Sequence, residues 1–287
     1  MRASRVTWEY VTFGQRLGRH WPAIASLVFG LGTADAAHAT AILPVSNGLF
    51  TVFSGTQPKD YFSDVNPTGW VLQSGKQGHL VFIDGPGTAT QTGGGANSYA
   101  IWGPFTNPPT GGNLVQADGN PLYGAWFGQT ISGLTIGMTY TLSFWQAAGQ
   151  QAGFTGNTAE QWKVFFGDTP TVSCSSSPCT VAYDHTTTTE LDSALMTTPS
   201  GGTTAWNEVT MQFTARAGTE TLSFLAWGDG GATQNLPPTV FLAGINATPV
   251  PEPASLALLG VSLVGAGVLR LRGRKRKPEA RSDTGAV

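Results

Sequence analysis

The clearest pattern along the chain is a two-residue alternation of apolar and polar positions in its second half. Tyr140, Leu142 and Phe144 alternate with Thr141, Ser143 and Trp145, and Trp162, Val164 and Phe166 alternate with Lys163 and Phe165. Val209, Met211 and Phe213 repeat the pattern, as do Leu222, Phe224 and Ala226. Val240, Leu242 and Gly244 then alternate with Phe241, Ala243 and Ile245, just before a proline-rich stretch. Successive side chains of a strand point to opposite faces, so this period marks sheets with one buried face. Gly133, Gly137, Gly167 and Gly218 sit between the runs as turn residues. Many short strands with such punctuation predict an all-β fold, an antiparallel β-sandwich or jelly roll. No strong helical periodicity competes with it, and recurring Trp, Phe, Tyr, Val and Leu argue against disorder.

The two ends read differently. Arg2, Arg5, Arg16 and Arg19 precede an apolar stretch from Trp21 to Leu31, and Ala37-His38-Ala39 offers a small-x-small cleavage site. That is the order of a secretory signal peptide over residues 1–39. At the other end, Val250-Pro251-Glu252-Pro253 leads into an apolar run from Ala254 to Leu269, followed by a basic cluster from Arg270 to Lys277. The prolines favour an extended, accessible segment. As a helix the run would extend about 24 Å at ~1.5 Å per residue, just short of the roughly 30 Å hydrocarbon core. The arginines and lysines make a flank that prefers the cytoplasm. On residues alone, 254–269 can be a small single-pass transmembrane anchor.

Excluding both ends changes the charge picture. The whole chain carries a net charge of −2, but residues 40–249 keep only Lys59, Lys76, Lys163 and Arg216 against 12 acids. Phosphate contacts need Lys and Arg, so a nucleic-acid partner is excluded. Divalent cations and neutral polymers are the better candidates. About 210 residues are enough for one domain with a sizeable core. Cys174 and Cys179, in Cys-Ser-Ser-Ser-Pro-Cys, are expected to form a local disulfide that pins a loop or hairpin tip in an oxidising compartment. Two thiols without a flanking His fall short of a zinc site.

Chemistry is sparse. His79 and His185 are the two histidines of 40–249, and no Gly-x-Ser-x-Gly elbow accompanies them. Glu160 and Glu208 could face each other as a glycosidase pair, although a chain with 12 acids offers many such pairs. Two long polar stretches interrupt the strand pattern. Residues 85–112 carry Tyr99, Trp102 and Phe105, and residues 184–204 contain four consecutive threonines, Thr186 to Thr189. The second is expected as a solvated insertion. Sugar binding uses aromatic faces with amides and carboxylates beside them. Of the seven tryptophans in 40–249, Trp145 and Trp162 fall on strands and are assigned to packing. Tyr99, Trp102, Tyr123 and Trp126, with Asn97, Asn120 and Gln129, are the loop-borne candidates for a glycan. The alternative is that these aromatics pack beneath the long loop. Trp227-Gly228-Asp229-Gly230-Gly231 is a second loop tip of similar character. Asp118-Gly119-Asn120 and Asp84-Gly85 could donate oxygens to a structural calcium ion, although Asp-Gly is also an ordinary turn pair.

The order Pro-Glu-Pro, short apolar helix and Arg-rich end closely resembles the PEP-CTERM sorting signal of Gram-negative bacteria. The resemblance implies that Pro251, Glu252 and Pro253 mark a segment recognised and processed by an exosortase, a membrane protease. The tail from Pro278 to Val287 is longer than is usual for the family. The middle of the chain also resembles known domains. Asn47-Gly48-Leu49-Phe50 with Gly69-Trp70 resembles the opening of many PEP-CTERM ectodomains. The stretch Asn113 to Asn120, then Gly128-Gln129-Thr130-Ile131-Ser132-Gly133-Leu134 and Thr139 to Phe144, resembles the core of galactose-binding-like jelly rolls related to the DUF642 group. The closing Leu242-Ala243-Gly244-Ile245 lacks the acidic or Asn pair common there. This resemblance implies a carbohydrate-binding-module-like ectodomain over 40–249, followed by a sorting signal over 250–287.

Together these readings predict an exported, non-enzymatic protein of the cell surface or extracellular matrix. It would be anchored in the membrane through its C-terminal helix at least before processing, and would associate with exopolysaccharide. A structural surface or biofilm protein that binds other proteins is the second reading, and a polysaccharide hydrolase the third.

Overall fold

A computed structural model describes residues 40–246 apart from 56–58, 75–79, 93–98, 121, 124, 174–178 and 229–236. The expected signal peptide and sorting segment lie outside the described residues. Within them, no helix is long and apolar enough to cross a membrane. The chain opens with β1 (Ala41–Ile42), β2 (Asp60–Tyr61), the single-turn α1 (Phe62–Val65), β3 (Val71–Leu72), β4 (Val81–Asp84) and β5 (Leu114–Asp118). The longer strands follow: β6 (Phe127–Ser132), β7 (Thr139–Gln150) and β8 (Thr158–Gly167). A short hairpin, β9 (Thr171–Ser173) and β10 (Thr180–Ala182), precedes β11 (Thr189–Asp192) and β12 (Met196–Thr198). The domain closes with β13 (Asn207–Thr214), β14 (Thr219–Gly228) and β15 (Pro238–Ala243).

These strands form the predicted sandwich. The first sheet runs β1-β7-β15-β5-β4-β2, with β13 also paired to β7; the second runs β11-β8-β14-β6-β3, with β12 also on β8. Every pairing is antiparallel except β1 on β7. The alternations read from sequence supply the core between the sheets. Leu142 and Phe144 of β7, Met211 and Phe213 of β13, Trp162, Val164 and Phe166 of β8, and Phe224 and Ala226 of β14 are all buried in one cluster. Trp162 joins the layers directly, donating from Nε1 to the Phe241 carbonyl of β15 at 3.1 Å.

Two expectations need correcting. β15 is buried on both faces, because the described residues on either side of 93–98 cover the outside of the first sheet. There Ala89 and Ile101 pack with Leu114, Ala147, Phe241 and Ala243, and Tyr99, Phe105 and Trp206 lie against them. The second polar stretch is not a solvated insertion: β11 and β12 both pair with β8 and form the edge of the second sheet. Threonine suits this role, because its β-branched side chain fits a half-buried pleated surface.

Gly128 on β6 sits at a tight point of the second sheet. A Cβ there would lie 2.6 Å from the Leu222 carbonyl oxygen and 3.0 Å from Ser223 Oγ. Gly128→Ala is therefore expected to lower stability by about 1–3 kcal/mol, seen as an earlier urea midpoint. An unchanged midpoint would show that the β6–β14 contact can spread without cost.

Candidate functional site

The structure separates the aromatics that the sequence grouped together. Tyr99 belongs to the cover over the first sheet. Its hydroxyl is 3.2 Å from Thr239 Oγ1, and its ring meets Phe82 edge-on at 5.4 Å. Burial holds the Tyr99 phenol well above its ordinary value, with Asp118 adding to the effect. For Tyr99 the packing alternative is the observed one. Trp102 is half-buried, donates from Nε1 to the Phe154 carbonyl at 2.8 Å, and lies over Gly201. Asn97 lies outside the described residues.

Nor do the calcium candidates converge. On the β4–β5 ladder Asp84 pairs with Leu114, whereas Asp118 lies at the other end of β5, opposite Thr239. Asp118 Oδ1 accepts the Asn120 amide at 2.7 Å, and Asn120 Oδ1 accepts the Leu122 amide at 3.1 Å, so both close the local turn. The cation at Asp84 is Lys59, 3.1 Å away. Among the described residues no group of three or more His, Cys, Asp or Glu is placed to hold a metal ion. The glycosidase pair is also parted. Glu160 is buried between the sheets, where Thr198 Oγ1 donates to it, while Glu208 is exposed on β13 of the other sheet. β9 and β10 bracket the two cysteines in the chain, with Ser173 opposite Thr180; Cys174 lies outside the described residues.

What the fold does assemble is the outer face of the second sheet. Trp162 and Val164 of β8 face inward, so Ala159, Gln161, Lys163 and Phe165 face outward. On β14 their partners are Trp227 opposite Gln161, Leu225 opposite Lys163 and Ser223 opposite Phe165. On β11 they are Asp192 opposite Lys163 and Glu190 opposite Phe165. Trp126 directly precedes Phe127, which faces inward opposite Phe224. Alternation therefore brings Trp126 level with Leu225 on the outer side. Gln73 fixes it there, its amide donating to the Trp126 carbonyl at 2.9 Å and its Oε1 accepting the Trp126 amide at 3.3 Å. Trp126 and Trp227 are both half-exposed.

A charged cluster holds this face. Lys163 Nζ donates to Glu190 Oε1 at 2.7 Å and to both Asp192 oxygens at 3.2 Å, and it lies 5.6 Å from the Trp227 ring centre. That is within the range of a cation–π contact. Burial pulls the Lys163 ammonium down, but the Glu190 hydrogen bond and the Asp192 charge outweigh it and hold it above the ordinary lysine value. Gln161 Nε2 donates to Asp192 Oδ2 at 3.1 Å. Tyr183 packs edge-on against Phe165 at 5.3 Å, and its phenol is pushed up to about 12 by burial and by the neighbouring Glu190. Further along β8, Asn157, Thr158, Ala159, Thr197, Thr198 and Pro199 line a groove of about 370 Å³. The Gly201 turn beneath Trp102 follows that groove directly in the chain. The outer residues of β8 are spaced about 6.5–7 Å apart, so groove, Gln161 and Trp227 form one track of hydroxyl, amide, carboxylate and aromatic groups.

Of this track, the sequence picked out Trp126 as a loop aromatic and Trp227 as part of a loop tip. Lys163, Glu190 and Asp192 were missed. The available signal was Lys163 as the lone cation in an alternating strand, but its partners come from the threonine-rich stretch that looked like an insertion. Tyr123 is exposed near Trp126, its amide donating to the Asn120 carbonyl at 2.9 Å.

Fold and face together define an antiparallel β-sandwich whose second sheet carries partly exposed Trp126, Trp227, Gln161, Lys163 and Glu190 on its outer side, around Phe165, Ser223 and Leu225, which are buried there. The chain carries the PEP-CTERM protein-sorting motif, matched over residues 249–275. No curated protein sequence matches the chain. Among solved structures it is similar to the bacteriophage CBA120 tailspike protein 4 enzymatically active domain, at 14% identity and a TM-score of 0.35, covering 71% of this chain and 21% of that one. It is also similar to TmCBM61 in complex with beta-1,4-galactotriose, at 10% identity and a TM-score of 0.28, covering 66% of this chain and 97% of that one. A third is the N-terminal CBM22-1-CBM22-2 tandem domain from Paenibacillus barcinonensis Xyn10C, at 13% identity and a TM-score of 0.31, covering 69% of this chain and 51% of that one. The chain thus spans about a fifth of the tailspike chain and about half of the tandem-domain chain.

Proposed function

We propose that this is an exported, exosortase-processed surface protein whose sandwich is a non-catalytic glycan-binding module, with the outer face of the second sheet as its binding surface. The observation that carries the reading is the pair of half-exposed tryptophans, Trp126 and Trp227, held on one rigid strand face beside Gln161, Asp192 and Glu190. An indole face covers the apolar side of a pyranose ring, while amide and carboxylate oxygens and nitrogens satisfy its hydroxyls. Strands hold these groups more firmly than loops do, so little ordering entropy is lost on binding. The sorting motif supports the reading of export, and an exported glycan-binding module would meet exopolysaccharide at the cell surface.

The test is binding of the mature protein to a polysaccharide panel that includes the host's own exopolysaccharide. Saturable binding that weakens at least about tenfold in Trp227→Ala and in Trp126→Ala, roughly the 1.4 kcal/mol of one lost ring contact, is the expected result. Trp102→Ala reports whether the groove end contributes. Binding that survives the Trp126→Ala/Trp227→Ala double variant would move the site off this face. No binding to any glycan, with concentration-dependent assembly in light scattering, would favour a structural surface protein instead.

A further inference from the structure

We propose that Lys59 and Asp84 are the two halves of an intramolecular isopeptide bond, a covalent clamp joining the start of β2 to the end of β4. The inference does not depend on glycan binding. Asp60 pairs with Ile83, which sets Lys59, one residue earlier, directly across from Asp84. The Lys59 amide donates to the Ile83 carbonyl and locks that register. Both side chains are withdrawn from water, with 5% and 0% exposure, and Nζ lies 3.1 Å from Asp84 Oδ2. Next to them on the same ladder, Phe82 stacks on Tyr61 at 5.0 Å and meets Tyr99 edge-on.

The three acceptors around Nζ suit an ammonium, and the same arrangement also accommodates an uncharged amine beside an un-ionised acid. Besides Asp84, Nζ has two acceptors, Gln116 Oε1 at 3.0 Å and the Tyr99 carbonyl at 3.2 Å. Two acceptors use both hydrogens of an uncharged amine and leave its lone pair for the carboxyl group. Asp84 Oδ1 has no hydrogen-bond partner, an expensive place for a carboxylate charge and an inexpensive one for a carbonyl oxygen. Burial shifts both groups toward their uncharged forms: it raises the Asp84 carboxyl to about 6 and lowers the Lys59 ammonium, in each case against the attraction of the other. Lys59 also has a left-handed backbone, φ 88°, which a non-glycine residue keeps only where its surroundings enforce it. Here the enforced conformation aims the amine at the acid.

The reaction balances without an outside reagent. Nζ attacks Asp84 Cγ, the Nζ–Cγ bond forms and the Cγ–Oδ2 bond breaks. Oδ2 leaves as water with the acid proton and one amine proton; Oδ1 remains as the amide carbonyl, and the last N–H keeps an acceptor in Gln116 or Tyr99. Nothing is oxidised or reduced. Two oriented groups in a dry site react as if at an effective concentration of about 10⁵–10⁸ M, and the product removes two ionisable groups from the interior.

Peptide mapping of the folded, exported protein by mass spectrometry tests this. The expected product is a branched peptide linking 59 and 84, lighter by one water than its two parts, with tryptic cleavage after Lys59 abolished. Asp84→Asn should reach the same product mass by losing ammonia instead, whereas Lys59→Arg should stay unlinked. Cleavage after Lys59 at full yield in the folded wild-type protein would overturn the proposal, as would a water loss that maps to another position. Because the wild-type map alone decides the matter, a variant that fails to fold does not protect the idea.

Discussion

Trp162→Ala is expected to destabilise the domain by about 3–5 kcal/mol, the range for removing a large aromatic from a packed core. Three contributions set that size. Trp162 is completely buried, and its loss leaves a cavity lined by Phe127 and Phe224, whose rings meet it edge-on at 5.8 and 6.3 Å. Its Nε1 is a hydrogen-bond donor that crosses from the second sheet to the Phe241 carbonyl of the first. Its strand is the trunk of the second sheet, pairing with β14 on one side and with β11 and β12 on the other. Trp162→Phe separates the terms: it keeps most of the volume and deletes the donor, so it should cost less than the alanine variant. Urea unfolding monitored by far-UV circular dichroism measures both. A Trp162→Ala cost below about 1 kcal/mol would mean that this region collapses around the void, and that the sheets are not held together at this point.

Trp162 also illustrates what was legible in the sequence. Its assignment to packing followed from alternation with Lys163, and the same rule placed Phe144, Met211, Phe213 and Phe224 correctly. Alternation records one strand's two faces, which is local information. It could not show that the outer face of β15 is covered, because the cover comes from Ile101 and Phe105, more than 130 residues away in the chain. It also gave no warning of β11 and β12. Thr189–Asp192 and Met196–Thr198 are short, have few apolar residues, and become strands through pairing with β8. The site was half legible for the same reason. Trp126 and Trp227 stand out as aromatics in any reading, but their shared face depends on the registers of β6 and β8 against β14. Lys59 and Asp84, 25 residues apart, meet only because β2 lies beside β4.

Asp118 provides a prediction that turns on pH. Its carboxyl is 1% exposed at the end of β5, and burial raises it to about 7, only partly offset by the hydrogen bond it accepts from the Asn120 amide. An acid whose folded value lies above its unfolded one keeps its proton longer in the folded state. Between about pH 4 and pH 7 the folded protein therefore binds more protons than the unfolded chain, and stability falls as pH rises through that window. A rise of about three pH units at ~1.4 kcal/mol each puts the full loss on the order of 4 kcal/mol by pH 8. Asp118→Asn is the matching variant. Its side-chain oxygen can still accept the Asn120 amide, so the turn is kept while the titration is removed. At pH 4 the variant and parent should have similar urea midpoints. At pH 8 the variant should be the more stable, with the gap opening between about pH 4 and pH 7. Asp84, raised in the same direction, gives any unlinked protein a further slope that both variant and parent share, so the difference between them isolates Asp118. Parallel stability curves across this range would mean that Asp118 is neutral or charged alike in both states, and that water reaches the turn at Asn120.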